Sequence, residues 1–140
     1  MSTESSTERF EIPVEIQPKD IDELGHVNNV VYLRWVQEVA TAHWQSGTTA
    51  AELSEIAWVV IRHEIDYKRP ARLGDSLIAR TWVGTATELA FERFTEILKT
   101  NDRRLIAHAR TLWCPIDGKS GRPLRVSADI RGRFSVSAGE

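Results

Sequence analysis

The sequence holds a single cysteine, Cys114, in 140 residues. A lone thiol cannot close an internal disulfide, and no metal-type cysteine spacing exists. Neither a disulfide scaffold nor a zinc–cysteine centre is expected, and a reducing cytoplasm is the natural compartment. No apolar run approaches the roughly 20 residues needed to span a bilayer. Residues 1–9 are rich in Ser, Thr and Glu, lack the apolar stretch of a secretory signal, and read as a flexible polar tail. Charge of one sign is not in excess either: 18 Lys and Arg stand against 20 Asp and Glu, a net charge of −2. That balance gives no whole-molecule attraction to nucleic acid or to an anionic membrane. A polyanionic ligand would have to be met by a local cluster of cations.

What is present is ordinary for a globular chain: 41% hydrophobic and 27% charged residues, enough for one core in one domain over residues 10–140. From Phe10 to Gln17, apolar Phe10, Ile12, Val14 and Ile16 alternate with polar neighbours, the period of a half-buried strand. From Val27 to Trp44 the pattern is helical. Arg34, Glu38, Thr41 and Gln45 form one narrow polar stripe, and most of the remaining circumference is apolar. Such a helix needs protein on most of its sides. Four strand-like runs follow, Ala57–Tyr67, Leu77–Val83, Leu89–Lys99 and Arg104–Cys114, separated by turn signals at Pro70 with Gly74-Asp75, at Gly84 and at Asn101-Asp102. The first of these places Val59, Ile61, His63, Ile65 and Tyr67 on one face. Short connections favour antiparallel pairing. The fold class expected is α+β, an antiparallel sheet wrapped around one long central helix, with a short helical turn after Ser127. Trp82, Phe91, Phe94 and Trp113 do not all fit one inward face, so apolar surface is left over for subunit association.

The stretch from Asp20 to Tyr32 concentrates the chemistry. It sets Asp20, Asp22, His26, Asn28 and Asn29 in the loop that enters the helix. A helix start offers unpaired backbone N–H groups and a positive dipole end, which polarise a carbonyl and hold the charge that develops on attack. A carboxylate beside them attacks directly or activates water. Blander roles stand beside this one. Asp20, Asp22 or Asn28 serves equally as a helix cap, and His26 as the partner of a buried backbone group. Asp20, Asp22 and His26 also make a metal set on paper, but three ligands in one loop without support elsewhere argue against it, and no metal is expected.

The run D-I-D-E-L-G-H-V-N-N-V-V-Y-L-R-W resembles the signature of hotdog-fold thioesterases of the 4-hydroxybenzoyl-CoA thioesterase type, a group that includes acyl-CoA thioesterases and plant acyl-ACP thioesterases. The likeness continues through I-D-Y-K-R-P-A-R-L-G-D, R-T-W-V, H-A-R-T-L-W-C-P-I-D and G-R-P, and covers about Phe10 to Phe134. It implies a hotdog fold and a thioester hydrolase acting on acyl-CoA or acyl-ACP. The family's catalytic Asp falls on Asp22, as nucleophile or general base, and its carbonyl-polarising N–H falls near Asn29. His26 sits where the plant enzymes carry a functional His. Their Asn two residues after the Asp is Leu24 here. Gln37 and Ala40 stand where many bacterial members have Glu and Arg, which leaves Glu38 a distant reserve. The resemblance also implies a homo-oligomer, a dimer or a dimer of dimers, with sites at the subunit interface. No cofactor is expected, since coenzyme A belongs to the substrate.

Tyr32, Trp35, Trp58 and His63 are candidates to line the acyl pocket, though aromatics on a central helix and its sheet are commonly core. Lys68, Arg69 and Arg72 form the best cluster for the CoA phosphates, against a reading as a solvated basic turn. Cys114 has no basic neighbour in sequence and reads as packing. Two other functions fit the same fold: hydration or dehydration of an enoyl thioester, and binding of acyl-CoA without turnover.

Overall fold

The computed structural model of the chain describes residues 9–135; apart from Arg9, the expected polar tail lies outside them. Five strands form one antiparallel sheet: β1 (Phe10–Val14), β2 (Ile56–Tyr67), β3 (Leu77–Ala86), β4 (Phe91–Lys99) and β5 (Leu105–Asp117). Their order across the sheet is β1-β3-β4-β5-β2, so the second strand in sequence ends on the edge, beside the last. Three helices accompany the sheet, α1 (Asn29–Ser46), α2 (Ala50–Glu55) and α3 (Ala128–Phe134), with a 3-10 turn at Pro18–Asp20. The α+β architecture expected from the sequence is the one formed.

Alternation puts Leu77, Ala79, Thr81 and Val83 of β3, and Phe91, Arg93, Thr95 and Ile97 of β4, on the buried face. Against it α1 lays Val31, Trp35, Val36 and Val39, each at most 6% exposed. Burial of each such side chain stabilises by about 1.5–3 kcal/mol relative to exposure. The expected enclosure of α1 is largely met: among its apolar residues only Val30, 64% exposed, is open, and the exposed Glu38, Thr41 and Gln45 are the expected polar stripe, widened by Gln37.

Strand β2 corrects a second expectation. Val60 pairs with Trp113 but Arg62 pairs with Leu112, so Ile61 is an extra residue, a bulge. The bulge reverses the alternation at mid-strand. Trp58 and Val60, not Val59 and Ile61, share the face of His63, Ile65 and Tyr67, and Val59 and Ile61 are exposed. The four aromatics divide as the sequence requires. Phe91 pairs with Trp113 on the α1 side, whereas Trp82 stacks on Phe94 on the other, 5.7 Å between centroids.

The helical turn expected after Ser127 is α3. The Ser127 hydroxyl caps it by accepting from Ile130 N–H. Its Phe134 packs on Trp44 near the end of α1, and Arg133 donates to Glu52 of α2 at 2.8 and 3.0 Å.

Candidate active site

The loop before α1 is tied at every step. Asn28 is the N-cap of α1, its Oδ1 accepting from Val30 N–H at 3.1 Å. Capping of α1 is thus the work of Asn28 and of neither aspartate. Asp20 is 2% exposed and accepts from both Arg34 Nη1 and Nη2 at 3.2 Å and from Gln17 N–H at 2.9 Å. The Arg34 guanidinium holds its carboxyl below the usual carboxylate range. Asp20 is a clamp between loop and helix, committed on both oxygens.

Asp22 has a different task. Its Oδ1 accepts from Leu24 N–H at 2.9 Å and from His26 N–H at 3.2 Å, and its own N–H donates to His26 O at 2.8 Å. The turn closes through Gly25, whose φ of 79° is costly for a residue with a Cβ. These bonds fix the carboxylate's direction through one oxygen and leave Oδ2 open. The half-buried side chain faces a cleft of about 400 Å³ that Asn29, Tyr32, Lys68 and Arg69 also line. Val30 N–H and Val31 N–H are taken by Asn28, so Asn29 supplies the open donor of the helix start.

His26 lies in the same cleft, its Nε2 3.4 Å from Arg72 Nη2. The Tyr67 hydroxyl donates to Asn29 O at 3.3 Å, and its ring meets Tyr32 edge-on at 5.4 Å. Burial raises the Tyr32 hydroxyl above its ordinary pKa, partly offset by a hydrogen bond with the Ala71 backbone. Asp22, His26, Asn29, Tyr32, Lys68 and Arg69 are therefore brought together, with Arg72 beside them. Among the described residues no group of three His, Cys, Asp or Glu assembles around a metal position.

Three expected lining residues lie elsewhere. Trp35 is 1% exposed in the core and lines neither cavity described here. His63 is on the exposed part of β2, opposite Thr111. Trp58 lines a second chamber of about 320 Å³ at the far end of α1, with Trp44, Phe91, Arg93 and Trp113. Sequence reasoning missed Arg93. Its only signal is phase: it alternates with Phe91, Thr95 and Ile97 on the buried face of β4.

The profile of the thioesterase-like superfamily matches residues 16–134. The acyl-acyl carrier protein thioesterase ATL3 of Arabidopsis thaliana, a chloroplastic protein, is 26% identical over 133 residues, 91% of this chain and 68% of its own length. A thioesterase from Thermus thermophilus, whose crystal structure contains coenzyme A and zinc, superposes with a TM-score of 0.76 at 25% identity, covering 89% of this chain and 90% of that one. A probable thioesterase from Escherichia coli, YbaW, shares the fold with a TM-score of 0.75 at 22% identity, over 92% and 98% of the two chains.

Proposed function

The chain belongs to the thioesterase-like superfamily and has its hotdog fold, and from that premise we propose that it hydrolyses an acyl-CoA, or the same acyl group on a carrier protein, at the cleft of Asp22. The observation that carries this is Asp22 itself, its Oδ1 held by Leu24 N–H and His26 N–H, in a cleft that Asn29 at the start of α1 also lines.

In this reading the thioester carbonyl oxygen accepts from Asn29 N–H, so charge that develops on it is met by the helix N-terminus. As general base, Asp22 takes a proton from water while the hydroxide oxygen bonds to the carbonyl carbon. The C–S bond then breaks, the thiolate takes up the proton, and a carboxylic acid and a thiol result. As nucleophile, Asp22 displaces the thiolate, and water opens the anhydride. His26 orients water or substrate. Lys68 and Arg69 in the cleft, with Arg72 near His26, meet the phosphates of the CoA arm. The working unit is a homodimer or dimer of dimers in the cytoplasm, with two copies joined along the exposed edge of β2. Among the described residues no helix is long and apolar enough to cross a membrane.

The experiment is thiol release by Asp22→Asn and Asp22→Ala across a panel of acyl-CoAs. A loss of at least about 100-fold in kcat is expected. Activity within a few-fold in a folded variant would remove Asp22 from its role. A single turnover in labelled water separates the two routes, since only the nucleophile places the label in the Asp22 carboxylate.

A further inference from the structure

The second chamber has a chemical character unlike that of the Asp22 cleft. It lies where the end of α1 meets β2, β4 and β5, and its walls are Trp44, Trp58, Phe91 and Trp113. Its volume, about 320 Å³, falls within the range of about 300–1,000 Å³ usual for small-molecule sites. Exposed Thr41, Gln45 and Leu53 form its rim.

Into this apolar space the sheet places Arg93, which is 5% exposed. Its Nη1 is shared between His43 Nδ1 at 2.9 Å and the Thr81 hydroxyl at 3.2 Å. Both partners are neutral: burial and the adjacent guanidinium hold the His43 pKa down at about 4. Among the described residues no carboxylate pairs with Arg93, whereas eight other arginines and lysines do have acidic partners. Trp58 adds an independent observation. Its Nε1 is the one buried side-chain polar atom among the described residues without a hydrogen-bond partner. Arg93, without a counter-ion, and Trp58, whose buried indole N–H lacks an acceptor, thus both line the same chamber. Burial of a charge without its counter-charge is costly, and what both donors lack is an acceptor bearing negative charge.

We propose that this chamber binds the distal end of an acyl group that terminates in a carboxylate, with Arg93 as its counter-ion and Trp58 Nε1 as a second donor. The proposal rests on the thioesterase reading and narrows its substrate to the thioesters of dicarboxylic acids. Within one chain the chamber and Asp22 sit at opposite ends of α1. Antiparallel pairing of two β2 edges about mid-strand brings the Ile56–Trp58 end of one copy beside the Tyr67 end of the other. The chamber of one subunit then continues the Asp22 cleft of its neighbour. The aromatic walls take the methylene chain, and the carboxylate reaches the guanidinium.

The test compares octanoyl-CoA with its ω-carboxy counterpart by thiol release, and measures binding of free octanedioate through the fluorescence of the chamber tryptophans. The wild-type protein is expected to favour the ω-carboxy thioester at least about tenfold in kcat/KM, and Arg93→Met to bring that ratio to about one. Octanedioate affinity should fall at least about tenfold in Arg93→Met and several-fold in Trp58→Phe, which keeps a ring and removes the donor. Arg93→Met should unfold at the same temperature as wild type or higher, because a methionine places no charge in the chamber. A wild-type ratio of one or less, or a ratio unchanged by Arg93→Met, overturns the proposal. If no thioester is hydrolysed at all, the thioesterase reading fails on its own, and the octanedioate measurement still decides what the chamber binds.

Discussion

Asp20 and Asp22 stand two residues apart with opposite fates, and the separation follows from their partners. Asp20 meets Arg34 through both oxygens in a 2% exposed position; Asp22 meets only backbone N–H groups, through one oxygen. Asp20→Asn should therefore lower stability by about 1–3 kcal/mol, toward the low end because solvent reaches the Arg34 side chain. A urea midpoint measures it. Its effect on chemistry should enter only through the loop it anchors. The pH dependence has a definite sign. The folded-state pKa of Asp20 lies below its ordinary 3.8, so its contribution is complete above the unfolded value and is lost as pH falls through the folded one. Stability curves should show wild type losing more than Asp20→Asn below about pH 4. The residue pattern by itself could not divide these aspartates; only the family resemblance pointed to Asp22. Arg34 lies 14 positions from Asp20, and no local pattern marks it as the partner.

At the level of elements, periodicity recovered the central helix and all five strands, because β3 and β4 alternate between a covered and an open face until register shifts near their ends, at Val83/Ala86 and Ile97/Leu98. The failure in β2 has a single cause. The bulge at Ile61 carries no glycine or proline to announce it, so Val59 was assigned to the face that Trp58 occupies. Strand β4 begins at Phe91 and not at Leu89, because the Thr87 hydroxyl accepts from Leu89 and Ala90 N–H and turns the chain there. The Arg93 chamber was illegible for another reason: it needs the far end of α1, β2, β4 and β5 in one place, and no short segment contains it. One junction between elements is tight enough to test. A Cβ added at Gly118, just after β5, would lie 2.5 Å from Ser54 O of α2. Backbone cannot yield as a side chain does, so Gly118→Ala should cost about 1–3 kcal/mol. Thermal unfolding would show it as a lower midpoint with the Asp22 site otherwise intact.

At the level of the molecule, three surfaces are left unfinished. The outer face of α1, the edge of β2 with Val59 43% and Ile61 61% exposed, and Val30 at the helix start are all open in a single chain. Long exposed edges with apolar side chains invite a further strand. Pairing of two copies along β2 would cover them and complete the cleft proposed above. Ile61→Lys should shift light-scattering mass toward the monomer, and thiol release should decline in step with the dimer fraction as the protein is diluted. A variant that stays dimeric, or a monomer with full activity, would place the subunit contact or the site elsewhere.

The position of β2 beside β5 also sets an order in time. Ile56 waits for Asp117, and Tyr67 for Ala107, so β2 has no neighbour until the last strand has been made. A chain emerging from the ribosome holds Trp44 and Trp58 without a finished sheet until β5 has been made. Closing that long loop comes late and makes folding slow for a domain of this size. Pulse-labelled hydrogen exchange during refolding should show the amides of β2 and β5 gaining protection together, after those of the β3–β4 hairpin. The edge that would join two subunits is thus the last part of each to exist, and assembly must follow folding.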